Sequence, residues 1–218
     1  MKNIRIWFKK TNTARYISHL DLSRCMARAI RKAHLPFWYT EGFNPHVFLT
    51  ITMPLSLGYT GMRESMDVKL LDDDYPFEKI ISGLNSGLPD DVQVFDISEL
   101  VMKPSEVEFA EYQVELETED SSALRKELED FLSQPELLTE KKTKKGFKTI
   151  DIKPDFEGMK FDSSDSKLLK MNMILKSSNN GGINPRLFMD LYMKNKNIEL
   201  FPNVIRLNCF DKNMREFV

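Results

Sequence analysis

The sequence predicts an α+β chain built from two tandem units, and three observations carry that expectation. Apolar patterns of period two and of helical period succeed one another as β-α-β-β-α-β through residue 97. The same rhythm returns in the second half. A polar break around Pro104, residues 102–106, lies between the halves. This order is that of the split βαβ, or ferredoxin-like (βαββαβ), unit. The expected domains are therefore 1–104 and 105–218.

In the first half, residues 4–9 alternate as a strand. Residues 19–33 are helical, with Leu22, Met26, Ala29, Ile30 and Ala33 as the apolar stripe. Residues 47–53 and 65–71 read as strands. Residues 76–84 read as a helix with Pro76 in its first turn, where the missing N–H costs nothing. A strand over 92–97 closes the unit.

In the second half, residues 110–117 alternate as a strand. A helix over 121–132 takes Ser121 or Asp120 as its cap. Residues 137–143 and 147–153 form a hairpin turning at Lys145-Gly146. The polar stretch 153–167 reads as a mobile loop. A strand over 168–175, a helix over 185–193 and a strand over 204–210 complete the set. The halves share a pattern, not a residue-by-residue repeat. Gly42-Phe43-Asn44-Pro45 and Gly182-Ile183-Asn184-Pro185 look alike, but one precedes an expected strand and the other a helix.

Composition narrows the function classes. Of the 218 residues, 41% are hydrophobic, enough to bury a core and exclude a disordered chain. The start lacks the apolar segment of a signal peptide, and no apolar run reaches the length of a membrane span. Cys25 and Cys209 give no framework spacing, so free thiols and a cytoplasmic protein are expected. Net charge is only −2, yet residues 1–60 carry +7, residues 61–140 carry −16 and residues 141–218 carry +7. Such a layout attracts a polyanion to part of a surface, although solvated faces alone explain it equally simply.

Chemistry-bearing residues concentrate early, with all three histidines in the first 46 residues. Ser18-x-x-Asp21 before an apolar helical run is a capping-box pattern, and Asp21 suits the positive helix end. His19 lies in the same first turn, where the dipole favours a neutral ring able to act as base, donor or metal ligand. Arg24, Arg28 and Arg31 recur at helical spacing beside Lys32, making a basic face that suits either solvent or phosphate. Arg15, just ahead of the helix, adds a fork donor. His34 stands at the helix C-terminus and reads as a cap. Gly42-Phe43-Asn44-Pro45-His46 is a shaped loop that aims Asn44 and His46 in fixed directions. Phe37, Trp38, Tyr39 and Phe43 suit either stacking on bases or burial in the core.

Taken together, Arg15-Tyr16-Ile17-Ser18-His19-Leu20-Asp21-Leu22, Arg28-Ala29-Ile30-Arg31-Lys32-Ala33, Leu35-Pro36 and Gly42-Phe43-Asn44-Pro45-His46 form a signature. It resembles that of the radical SAM-linked (radical SAM-associated) protein family. Met53-Pro54-Leu55-Ser56-Leu57-Gly58 matches the phrase that follows in that family. The specific match covers about the first 70 residues. Two departures are His34, where Gly is usual, and Val47, where Pro often follows the histidine. The resemblance implies a bacterial protein, alone or joined to a radical SAM enzyme, with some members associated with ribonuclease E/G-type proteins and ribosomal genes. The family brings no established reaction and so assigns no catalytic residues.

Absent motifs sharpen the reading. The two cysteines stand 184 positions apart and cannot form the closely spaced triad that holds a radical SAM cluster. No phosphate-cradling Gly-x-x-x-x-Gly-Lys-Ser/Thr and no His-Glu-x-x-His zinc motif occurs. No cofactor is expected. The preferred expectation is a non-catalytic RNA-binding or substrate-recognition module, for tRNA or rRNA, working with a radical SAM or ribonuclease E/G-type partner. Its RNA contacts would be Arg15, Arg24, Arg28, Arg31, Phe43 and Asn44. One alternative is a metal-independent ribonuclease using His19 and His46 as acid and base, with Asp21 as a third candidate. Another is a protein adaptor whose acidic middle, Asp72, Asp73 and Asp74, binds a basic partner. A variant places a metal at His19, Asp21 and His46.

Overall fold

The computed structural model describes residues 1–143, 146–178 and 181–218. The protein is a mixed α+β chain whose strands pair almost entirely antiparallel. It divides into two compact units, Met1–Val107 with Arg206–Val218, and Glu108–Ile205. The break in the chain thus falls three residues beyond the expected one. The last thirteen residues belong with the first unit, an association that a linear reading has no means to show.

The first unit opens with β1 (Lys2–Lys10), a 3-10 turn (Asn12–Tyr16) and α1 (His19–Lys32). β2 (Leu49–Ile51), β3 (Thr60–Leu70), α2 (Phe77–Asn85) and β4 (Val92–Glu99) follow, then a short 3-10 turn at Pro104–Glu106. The strands lie in the order β2-β3-β1-β4, each pair antiparallel. Flanked by β3 and β4, β1 is buried on both faces, Arg5 and Trp7 as well as Ile4, Ile6 and Phe8. Ile4, Ile6 and Phe8 cluster with Met66, Val68 and Leu70 and with Leu22, Met26, Ala29 and Ile30 of α1. The expected strand over 47–53 shrinks to Leu49–Ile51, with Val47 bridging Tyr39 instead. The expected strand over 65–71 begins earlier, because Gly61 already pairs with Lys10.

Local chemistry sets both ends of α1. Ser18 Oγ accepts from the Asp21 backbone N–H at 3.2 Å, so Ser18 is the N-cap; the Asp21 carboxylate meets the Ser18 hydroxyl where a full capping box would have it accept from the Ser18 backbone N–H. At the other end His34 takes a left-handed backbone, φ 50°. Its N–H donates to the Arg31 carbonyl and the Leu35 N–H donates to the Ile30 carbonyl, the paired bonds of a Schellman motif. His34 caps this helix end through its backbone conformation.

The second unit runs β5 (Phe109–Glu117), α3 (Ser121–Leu132) and the hairpin β6 (Leu138–Thr143) with β7 (Gly146–Asp151). Next come α4 (Lys153–Phe156), β8 (Lys160–Asp165), β9 (Leu168–Ser178), β10 (Gly181–Gly182) and α5 (Arg186–Lys196). β9 pairs antiparallel with β5, β8 and β10. The chain leaves the unit along β11 (Asn203–Phe210), where Asn203 Nδ2 donates to Glu115 Oε2 at 3.0 Å. Asp120, not Ser121, caps α3, accepting from the N–H groups of Ser122 and Ala123. Ring contacts of Phe131 with Tyr192 and of Phe156 with Phe188 fill the core. The expected hairpin is present, but its turn at Lys145 lies outside the described residues. The expected loop over 153–167 instead contains α4 and β8. β8 joins β9 with Phe161 as its one apolar residue, so it has no apolar alternation by which to be read.

Candidate functional site

The signature residues all fall in the first unit, and the fold sorts them by role. With its apolar stripe buried, α1 turns Arg24, Arg28 and Arg31 to solvent. Arg24 Nη1 donates to Asp21 Oδ1 at 3.1 Å, and Ser18 Oγ donates to Asp21 Oδ2 at 2.8 Å. The Ser18 hydroxyl, then the Arg24 guanidinium, holds the Asp21 carboxyl below its ordinary range. Asp21 is thereby engaged at both oxygens and remains ionised. Arg15 lies over the Tyr16 ring at 4.9 Å, and its carbonyl accepts from the Gly58 N–H at 2.9 Å. That bond joins the first signature phrase to the phrase ending at Gly58.

The 40–46 loop closes on itself. The Thr40 N–H donates to the His46 carbonyl at 2.8 Å, and the His46 N–H donates to Thr40 Oγ1 at 3.2 Å. His46 Nδ1 lies 3.1 Å from the Asn44 carbonyl oxygen and 3.0 Å from Thr40 Oγ1. A carbonyl only accepts, so Nδ1 is the donor in that bond. Gly42 supplies the φ of 122° that the turn needs. Phe43 stands at the tip with its whole side chain in solvent (106% relative exposure). Asn44 and His46 are exposed as well.

The structure therefore groups Ser18, Asp21 and Arg24, and separately Asn44 and His46. No hydrogen bond among the described residues joins the His19 ring to either group. Among the described residues no set of three His, Cys, Asp or Glu side chains is placed to hold an ion. The aromatic phrase divides by strand alternation. Phe37 is buried and Tyr39 packs on the core, whereas Trp38 turns away and meets Phe48 edge-on at 5.6 Å.

Sequence reasoning missed a buried charge cluster. Lys10, Glu64 and Arg206 are each at least 95% buried. Arg206 Nε donates to Glu64 Oε1 at 3.0 Å, and Nη2 donates to the Met53 carbonyl at 2.7 Å. Burial lowers the Lys10 ammonium pKa, with Glu64 acting against that and Arg206 with it. Burial also pushes the neighbouring Cys209 thiol up to about 11. The cavity between Trp7, Met53, Arg63, Glu64 and Arg206 measures about 10 Å³, room for one water at most. This cluster holds the unit together and leaves no space for a substrate. Local sequence carries no signal for it, because its partners stand 142 positions apart.

No curated protein matches this sequence. Among solved structures, one described as an unknown protein from Galdieria sulphuraria aligns with a TM-score of 0.28 and 10% identity, covering 93% of this chain and 98% of that one. A likeness so loose carries no argument. No helix among the described residues is long and apolar enough to cross a membrane. The model of a family described as "Uncharacterized protein conserved in bacteria (DUF2344)" matches residues 3–185, which include the whole signature from Arg15 to Gly58. The chain belongs to the DUF2344 family.

Proposed function

We propose that this chain is a non-catalytic RNA-recognition module that presents tRNA or rRNA to a partner enzyme. The observation that carries this reading is the solvent face of α1, where Arg24, Arg28 and Arg31 lie exposed along one helix. Such a stripe suits contact with a phosphate backbone. Phe43, wholly exposed on a tied loop, adds a surface for stacking on a base. The residues best suited to acid–base work serve structure here: Asp21 in the helix cap, and His46 in closing its loop. The resemblance of the signature to the radical SAM-linked family supports a radical SAM or RNA-processing partner. We read both units as ferredoxin-like. The order β2-β3-β1-β4 supports this in the first. In the second, the succession β5, α3, β8, β9, α5 and β11 supports it, with β6, β7 and α4 as an insertion.

The test is binding of the purified chain to total cellular RNA at two salt concentrations, with the RNA inspected for cleavage. Recognition through phosphates gives binding that weakens with salt, and an Arg24→Glu/Arg28→Glu variant with lower affinity and a shallower salt slope. Absence of binding at low salt rejects the proposal. One observation favours a second reading, a ribonuclease: the exposed His46 ring is oriented through Nδ1, which donates to the Asn44 carbonyl. Cleavage that disappears in a His19→Ala/His46→Ala variant selects that reading instead.

A further inference from the structure

The ribbon that carries the 40–46 loop has a second face. Phe37 and Tyr39 turn into the core, so Trp38 points the other way, and Phe48 beside it is 44% exposed. The two rings meet at a steep angle with centroids 5.6 Å apart, so they are not stacked on one another. Lys69 of β3 lies on the same side, with Nζ 5.1 Å from the centre of the Trp38 indole. The other charge on this strip of β3, Asp67, is taken up by Arg5, whose Nε and Nη2 donate to its two oxygens at 2.7 and 2.9 Å. Lys69 is therefore the net charge beside the rings. Two aromatics at a sheet edge with one adjacent ammonium match the chemistry of a nucleotide: a flat base for the ring and a phosphate for the cation.

We infer that Phe48, Trp38 and Lys69 form a stacking ledge for an unpaired base, which makes single-stranded RNA the substrate class of the module. This rests on the RNA-recognition reading and narrows it. A base within a duplex is stacked on its neighbours and presents only its edge, so the ledge selects for bases that are splayed out. The acids nearest along the chain, Glu41 in the loop and Asp72, Asp73 and Asp74 after β3, repel phosphate. Stacking therefore dominates at the ledge, while salt-dependent attraction belongs to α1.

The protein carries its own reporter. Trp7 is buried and Trp38 is half-buried, so a base settling on the ledge alters the emission of Trp38. The full chain is titrated with a short single-stranded oligoribonucleotide and with the same strand annealed to its complement. The ledge gives tighter binding of the single strand and an emission change that is lost in Trp38→Phe. Phe48→Ala, checked for an unchanged thermal melt, weakens single-strand binding about tenfold and leaves the salt slope unchanged. Equal binding of strand and duplex without a Trp38-dependent signal, or full affinity in Phe48→Ala, overturns the ledge and leaves the recognition module standing. Failure of both RNAs to bind at low salt overturns both.

Discussion

Arg206 grips Glu64 with two prongs inside the protein: side-chain exposures are 3% and 4%, and the partners lie 142 positions apart. The same guanidinium also donates to the carbonyls of Met53 and Pro54. One side chain thus ties β11, β3 and the 53–58 phrase together.

Removing that side chain strands a carboxylate. Arg206→Met leaves Glu64 buried with Lys10 as its remaining charged neighbour, and costs about 3–5 kcal/mol. Urea denaturation measures this as a lowered midpoint. Arg206→Lys recovers part of the loss, because an ammonium supplies charge without the fork.

Gly61 makes room for the same carboxylate. A β-carbon there would lie 2.5 Å from Glu64 Cγ, and the ion pair keeps Glu64 from swinging away. Gly61→Ala therefore costs about 1–3 kcal/mol. In an Arg206→Met background the penalty shrinks, since the carboxylate is free to move; a double-mutant cycle reads the coupling.

His34 holds a left-handed conformation that glycine adopts without strain. His34→Gly raises stability by about 1 kcal/mol, measured as a higher denaturation midpoint. An unchanged or lower midpoint contradicts this account of the helix end.

The Asp21 carboxyl titrates below its ordinary 3.8, chiefly through the Ser18 hydroxyl and then through Arg24. A depressed carboxylate stabilises the fold above its unfolded-state pKa, and that contribution disappears as pH falls through the folded value. Carbon NMR of the carboxyl follows the titration directly. In Ser18→Ala the midpoint moves up towards 3.8, more than it does in Arg24→Ala.

Both thiols are protonated at neutral pH. Burial raises each, Cys209 to about 11, and Cys25 is the less enclosed of the two. A thiol reagent with mass-spectrometric readout labels Cys25 first, and Cys209 only under unfolding conditions. Early labelling of Cys209 means that the Arg206 cluster opens readily.

What the sequence discloses depends on the range of each interaction. The α1 cap is legible because Ser18 and Asp21 bond across three positions, and the apolar stripe because Leu22, Met26 and Ala29 repeat locally. The solvent exposure of Arg24, Arg28 and Arg31 follows from that stripe by geometry. β8 is illegible because a single apolar residue, Phe161, makes no alternation and its pairing with β9 alone makes it a strand. Glu64 and Arg206 look like surface charges until folding brings them together. The aromatic phrase falls between these cases: strand alternation divides Phe37 and Tyr39 from Trp38, but only once the ribbon's register against β3 is known.

The return of Arg206–Val218 to the first unit has a consequence for how the protein is born. A ribosome releases the N-terminus first, yet the first unit lacks its arginine clasp until the second has been made. A nascent chain that has emerged only as far as Val107 holds Glu64 with no Arg206 to meet it. The N-terminal half must wait until the stretch beginning at Arg206 has been made, and nascent chains stalled before residue 206 stay open to protease where longer ones are closed.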